Sequence, residues 1–243
     1  MAYRFSSFHQ HQLISELRYH EAFAIWDRAG ALWQELGSRF KVFKSSSVAP
    51  NNVTFFGDDR YTLSVGIERA SIVDNKPEGS NERSLELFSF FAHTVIGILS
   101  INVFERVGTR FIYSIDFKTL REAQKKAEES VPYRVPKKKL FNISPESLSP
   151  SFKIEGDDGE LAYVAQIYAR EHKLDFRPPP DVAALGLSKM EKSLFQLVLD
   201  LDFSTKKPMP TESFDALTWL TGWNKIVRRD ADAFLELAEK THV

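Results

Sequence analysis

The chain has 243 residues, of which 43% are hydrophobic and 27% are charged, and its formal net charge at pH 7 is −1. This length and composition are typical of a folded protein with one large domain or two small ones. Because the chain contains no cysteine, disulfides, thiolate nucleophiles, Cys-ligated zinc and iron–sulfur clusters are excluded. The balanced charge provides no global field that would attract nucleic acid or anionic lipid.

The apolar segments and the lack of cysteine favour a cytoplasmic protein without a membrane partner. Residues 1–12 contain no apolar run behind a basic start, so we expect no secretory signal there. The longest apolar region, residues 85–103, is interrupted by Glu86, His93 and Asn102, which favours a buried helix over a membrane span. A chain without disulfides fits a reducing compartment.

Hydrophobic periodicity predicts an alternation of strands and helices along the chain. Period-two alternation and turn residues predict strands at residues 13–19, 53–56, 61–67, 108–117, 152–155, 160–170 and 197–203. Helical spacing predicts helices at residues 22–36, 84–100, 119–130 and 211–240, the last with a break at Gly222. The helix at 84–100 is apolar on more than one side, which places it at the centre of the core. Thr119 and Glu122 predict a capping box before the third helix.

These elements indicate an α+β fold of mainly antiparallel sheets covered by helices. Prolines and a lysine run mark a linker at residues 132–150, which separates an N-terminal half (1–131) from a C-terminal half (151–243), although the halves could pack as one domain. Each half has a hairpin with a Gly-Asp-Asp turn, offset by 99 residues (156 − 57). Each half also has a strand ending in Asp-Phe and a helix. We interpret this as a weak internal duplication, with chance as the alternative.

Four segments follow a familiar pattern: Glu16-Leu17-Arg18-Tyr19, residues 108–115, Leu199-Asp200-Leu201-Asp202-Phe203 and the closing helix from Trp223 to Phe234. Through these segments the chain resembles a sporadically distributed family of uncharacterised bacterial proteins of about this length. The resemblance covers nearly the whole chain and departs from the family pattern at Ser114, where asparagine is expected. No catalytic residues follow from it. The patchy distribution implies mobile genes, and therefore a role in defence, conflict or another accessory system.

Two carboxylates on one predicted strand are the weak catalytic candidates. Asp200 and Asp202 lie two residues apart, so both project from the same face and could hold Mg²⁺ or Mn²⁺ for phosphoryl chemistry. This motivates a metal-dependent hydrolase or nuclease as an alternative function. The competing interpretation is the solvent-facing side of a half-buried strand, and we assign no metal site.

A basic region at residues 118–139 has eight basic and three acidic residues. It motivates a second alternative, a nucleic-acid-binding protein that contacts phosphates. A solvated helix and linker would have the same composition. The candidate contacts are Arg134, Lys137, Lys138 and Lys139.

Charged strand residues and paired tryptophans are the candidate binding residues. Glu16, Arg18, Arg110 and Asp116 could form one polar cluster, but we favour separate surface ion pairs of little energetic value.

Trp219 and Trp223 form one of two helical tryptophan pairs, the other being Trp26 and Trp33. They could provide an aromatic ligand platform, but we favour packing of the helices on the sheet. From these groups we select Arg18, Arg110, Trp219 and Trp223 as binding candidates.

The chain lacks a complete catalytic or nucleotide-binding motif. We therefore expect a non-catalytic interaction protein of a bacterial accessory system, without a cofactor. It would bind another protein or a small ligand through a groove between sheet and helices, with nucleic acid as an alternative partner. The sequence leaves the oligomeric state open.

Overall fold

The computed structural model describes residues 4–129, 151–176 and 190–240, which form a mixed α+β fold around an antiparallel sheet. The predicted linker at 132–150 lies outside the described residues, so the division into halves stays a prediction. The described α-helices are α1 (Ile25–Gly37), α2 (Glu82–Leu99), α3 (Leu120–Glu129) and α4 (Ala216–Lys240). The described strands are β1 (His9–Tyr19), β2 (Phe43–Ala49), β3 (Asn52–Gly57), β4 (Tyr61–Gly66), β5 (Arg69–Asp74), β6 (Val103–Phe117), β7 (Ser151–Asp157), β8 (Leu161–Phe176), β9 (Met190–Thr205) and β10 (Met209–Pro210).

These ten strands form a single sheet with the order β2-β3-β4-β5-β1-β6-β9-β8-β7, and β10 pairs with β6. The central strands β1 and β6 pair with each other along most of their length. One sheet therefore contains strands from both sides of the predicted linker.

The connections on the two sides of this central pair follow the same order. β1 is followed by α1 and by a meander whose last strand, β5, returns to pair with β1. β6 is followed by α3 and by a meander whose last strand, β9, returns to pair with β6. The two Gly-Asp-Asp turns join corresponding hairpins, β3–β4 and β7–β8. The two Asp-Phe dipeptides lie on β6 and β9, which do not correspond in this order.

Alternation along the strands gives the sheet a helix face and a polar face. The predicted sides of the strand at 108–117 are confirmed, since Phe111 is fully buried while Arg110 lies on the opposite face. The helix face carries Leu13, Leu17, Val107, Phe111, Leu199 and Phe203, all buried. The polar face carries Glu16, Arg18, Arg106, Arg110, Asp200 and Asp202.

Helix α2 lies at the centre of the core, as its apolar pattern predicts. Phe88, Phe91 and Val95 are fully buried in the same cluster as the helix face of the sheet. Ala127 of α3 and Leu220 of α4 belong to this cluster as well. None of the described helices is long and apolar enough to cross a membrane.

Local hydrogen bonds decide where two of the helices begin. Thr119 caps α3 as predicted, because its Oγ1 accepts from the Glu122 amide at 3.2 Å. The Glu122 carboxylate accepts from the Lys118 amide at 3.1 Å instead of closing the box on Thr119. The last helix is not continuous from residue 211 as predicted: Thr211–Ser213 form a separate 3₁₀ helix. Asp215 Oδ1 then accepts from the Thr218 amide at 3.0 Å, and α4 begins at Ala216. The expected break at Gly222 is also wrong, since α4 continues through it.

A buried ion pair fastens the first Gly-Asp-Asp hairpin to the core. Arg60 at the turn donates from Nε and Nη2 to the two oxygens of Asp74 at the end of β5, both at 2.8 Å. The Asp74 side chain is 2% exposed and also accepts from the Ser84 hydroxyl of α2. One carboxylate thus joins the turn, β5 and α2.

Candidate binding site

An apolar groove of about 380 Å³ lies between α4 and the helix face of β7, β8 and β9. Its size is at the lower end of the range for small-molecule pockets. The lining contains a single carboxylate, Asp230, among apolar and aromatic side chains. The wall from the sheet consists of Ile154, Tyr163, Ala165, Leu201 and Phe203, and the wall from α4 includes Trp223, Ile226, Val227, Ala233, Phe234 and Leu237.

The sheet wall results from strand register. Tyr163 of β8 is the direct partner of Phe203 in β9, and Ala165 is the partner of Leu201. Paired residues project to the same face of a sheet, so these four side chains form one surface beneath α4. Ile154 of β7 extends this surface as the partner of Ala165.

A glycine allows Tyr163 to lie flat at the β7 end of the groove. Gly156 is the cross-strand partner of Tyr163, and a Cβ atom at position 156 would lie 2.1 Å from the Tyr163 ring. The ring therefore occupies the space that any other residue at 156 would fill. Tyr163 remains 40% exposed, which leaves one side of the ring accessible.

The helix wall is built around the predicted tryptophan pair. Trp223 stacks on Phe203 with ring centroids 4.2 Å apart and an interplanar angle of 18°. Trp219 contacts Trp223 edge-on at 5.7 Å and donates from Nε1 to Thr109 Oγ1 at 3.1 Å. Trp219 is thus fixed against the sheet, whereas Trp223 lines the groove. This combines the two sequence interpretations, because the pair packs on the sheet and one member also contributes to a cavity.

The charge in the groove is already paired. Asp230 accepts two hydrogen bonds from the neighbouring Arg229, both at 2.7 Å. These bonds hold the pKa of Asp230 below its usual range. The rest of the lining offers mainly hydrocarbon and aromatic surface, which suits an apolar ligand.

The two catalytic candidates, Asp200 and Asp202, lie on the polar face. Both carboxylate oxygens of Asp200 are bound by an arginine. Arg110 donates from Nε to Asp200 Oδ1 at 2.7 Å and from Nη2 to Oδ2. The Asp200 side chain is 7% exposed, and its bonds to Arg110 raise the pKa of the guanidinium. Because Arg110 occupies both oxygens, metal coordination by Asp200 would require this pair to open.

Asp202 lies on the same face, as its spacing from Asp200 predicts. Burial raises the pKa of Asp202, and its nearest charged contact is Arg106 Nη2 at 3.8 Å. Within the described ranges no three His, Cys, Asp or Glu side chains are grouped so that they could hold a metal ion. The geometry of the described residues therefore gives the metal-dependent alternative no support.

The other charged candidates are distributed along the polar face. Arg18 Nε donates to Glu16 Oε1 at 2.7 Å. Asp116 accepts from Gln196 Nε2 at 2.9 Å, at the opposite end of the central strands. Arg134, Lys137, Lys138 and Lys139 lie outside the described residues, so the nucleic-acid interface stays a prediction.

Sequence reasoning missed most of the groove. Tyr163, Phe203 and Leu237 come from three separate elements, and their contact depends on register and on the docking of α4. The one local signal was a glycine opposite an aromatic residue across the second hairpin, Gly156 and Tyr163.

The fold and groove define a mixed α+β protein with an antiparallel sheet and an aromatic cavity under its last helix. No family model matches the chain. Among curated proteins, it is 30% identical over 102 residues to the "Putative cysteine ligase BshC" of Bacillus cytotoxicus. The match covers 42% of this chain and 18% of that protein. The chain thus matches less than a fifth of that relative's length.

Proposed function

We propose that this protein is a non-catalytic binding protein that takes up a small apolar ligand in the groove between α4 and the sheet. The observation that carries the proposal is the aromatic lining: Trp223, Phe203 and Tyr163 present ring surface to one cavity of about 380 Å³. Aromatic and aliphatic walls with few polar groups are characteristic of ligand pockets. The cavity volume favours a small molecule over a partner helix, which would need a longer groove.

The setting of this binding activity is also part of the proposal. The resemblance to a sporadically distributed bacterial family supports an accessory role, in defence or conflict, in the cytoplasm. The match to a cysteine ligase is too partial to support a ligase activity here, since the chain covers 18% of that protein.

A neutral, environment-sensitive dye such as Nile red tests the binding proposal. We expect saturable fluorescence enhancement with the wild type and strong competition by aliphatic or aromatic ligands. Ala233→Trp adds a large side chain at an exposed position that lines the groove, and it should abolish most of the enhancement.

Ala31→Trp is the matched control, because Ala31 is an exposed alanine of α1. This variant should bind the dye as the wild type does. Equal binding by Ala233→Trp and the wild type, or no saturable binding at all, would refute the proposal.

We infer further that the two halves of the sheet arose by duplication, with the repeats beginning at β1 and β6. The shared order of strand, helix, returning meander and helix supports this inference, as do the Gly-Asp-Asp turns in corresponding hairpins. Superposition of the corresponding elements should give a rotation near 180° about an axis between β1 and β6. A rotation far from that value would contradict the duplication.

A further inference from the structure

The two Gly-Asp-Asp hairpins share a strand register, which relates the lining of the groove to a fully packed region of the first half of the sheet. Gly57 pairs with Tyr61 across the first hairpin, and Gly156 pairs with Tyr163 across the second. Both tyrosines therefore occupy the same place relative to the glycine of their turn. The surroundings of Tyr61 show what this arrangement of strands accommodates.

In the first half, an aromatic ring covers the glycine. A Cβ atom at Gly57 would lie 2.4 Å from the ring of Phe40, so this ring lies directly on the glycine. Its centroid is 5.7 Å from that of Tyr61, and it stacks on Phe43 at 5.4 Å with an interplanar angle of 10°. Phe40 is 9% exposed and Tyr61 is 1% exposed. The helix face of this hairpin thus holds a phenyl ring among aromatic neighbours.

In the second half, a smaller side chain opens the same region into the groove. Leu63 follows Tyr61 by two residues and is fully buried, whereas the residue two after Tyr163 is Ala165, which lines the groove. The described residues that line the groove all belong to β7, β8, β9 and α4. A ring in the groove would therefore meet side chains of the sheet and of α4, as the Phe40 ring meets those of β2 and β4.

We propose that the ligand of the groove carries an aromatic ring, which binds against Tyr163 and the stacked pair of Phe203 and Trp223. This inference rests on the proposed function, because it names the ligand class of the same groove. Aromatic rings attract one another beyond the effect of the apolar area that they bury. The packing of Phe40 in the first half shows a ring bound in this way on an equivalent pair of strands.

Displacement of Nile red by 2-phenylethanol and 2-cyclohexylethanol tests the ring preference. The two alcohols share the same chain and hydroxyl group and differ only in the ring. The saturated ring has the larger apolar surface, so burial of apolar area alone favours 2-cyclohexylethanol. We expect the wild type to bind 2-phenylethanol about fivefold more tightly, since aromatic contacts reverse that order.

Three variants locate the preference. Tyr163→Leu removes a ring of the lining and keeps an apolar side chain, so the ratio of the two affinities should fall to about one. Phe56→Leu is the matched control, because Phe56 is 41% exposed, compared with 40% for Tyr163, and lies on the opposite face of the sheet. It should keep the wild-type ratio. Ala165→Leu introduces the residue of the first half and should weaken the binding of both alcohols.

The outcomes separate this inference from the function on which it rests. Absence of saturable Nile red binding contradicts both. Saturable dye binding with 2-cyclohexylethanol as the equal or better competitor overturns the aromatic preference alone. The inference is also overturned if Tyr163→Leu keeps the wild-type ratio, if Phe56→Leu loses it to the same extent, or if Ala165→Leu binds both alcohols as the wild type does.

Discussion

The pair between Arg110 and Asp200 predicts that removing the arginine costs more stability than removing the aspartate. The Asp200 side chain is 7% exposed, whereas the Arg110 side chain is 43% exposed. Arg110→Ala leaves a buried carboxylate without its partner, and such changes typically cost 3–5 kcal/mol. Because the Arg110 side of the pair is partly screened by water, we expect Arg110→Ala to lower the free energy of unfolding by about 2–3 kcal/mol. Asp200→Ala leaves a guanidinium that water can reach, so we expect it to lower the free energy of unfolding by about 1 kcal/mol.

Equilibrium urea unfolding measures this difference in stability, provided that the m-values of the variants agree. The double variant Arg110→Ala with Asp200→Ala should be more stable than Arg110→Ala alone, since the stranded carboxylate is gone. Equal losses in the two single variants, or a larger loss in Asp200→Ala, would refute the assignment of Asp200 as the buried, structural member of the pair.

Three other perturbations test separate parts of the structure. Arg60→Ala should cost about 3–5 kcal/mol in urea unfolding, because it leaves the buried Asp74 unpaired; a loss below about 1 kcal/mol, the value of a surface pair, would contradict this. Gly156→Ala should displace the Tyr163 ring and weaken dye binding in the groove, with a loss of about 1 kcal/mol of stability; unchanged dye affinity would count against the role of Tyr163. Burial and nearby Arg170 lower the pKa of His11, so stability should fall as pH drops below about 6.5, when the unfolded state takes up the proton. His11→Gln should show a smaller fall between pH 7.5 and 5.5 in the same assay, and an identical fall would disprove the contribution of His11.

Two matched controls separate specific effects from general ones. Arg83→Ala breaks a more exposed pair with Asp58 (N–O 3.0 Å) and should cost less than about 1 kcal/mol. Gly222→Ala places a Cβ where no atom lies within 4 Å. Since alanine is favoured over glycine in a helix by about 1 kcal/mol, this variant should be stabilised, in contrast to Gly156→Ala.

Local periodicity predicted the four α-helices, seven of the ten described strands and the sides of several strands, but it did not single out β2, β5 or β10. The alternation from Arg110 to Phe117 correctly placed Phe111 in the core and Arg110 on the opposite face. The apolar pattern of α2 correctly placed Phe88 in the core. These features depend on neighbours within a few residues, which a single sequence displays.

Features that depend on contacts between distant parts of the chain could not be predicted from local periodicity. The adjacency of Arg69, Arg18 and Arg106 requires the registers of β5, β1 and β6, whose residues are separated by up to 88 positions (106 − 18). The stacking of Trp223 on Phe203 requires both the position of α4 and the side of β9 that faces it. The start of α4 was mispredicted for a local reason: the cap at Asp215 outweighed the apolar periodicity.

Native mass spectrometry of the purified wild type and of Ala233→Trp tests the binding function most directly. If the groove takes up a small apolar ligand, the wild type should retain added ligand in a one-to-one complex and the variant should not. Identical spectra for the two proteins, with or without bound mass, would contradict a ligand site beneath α4.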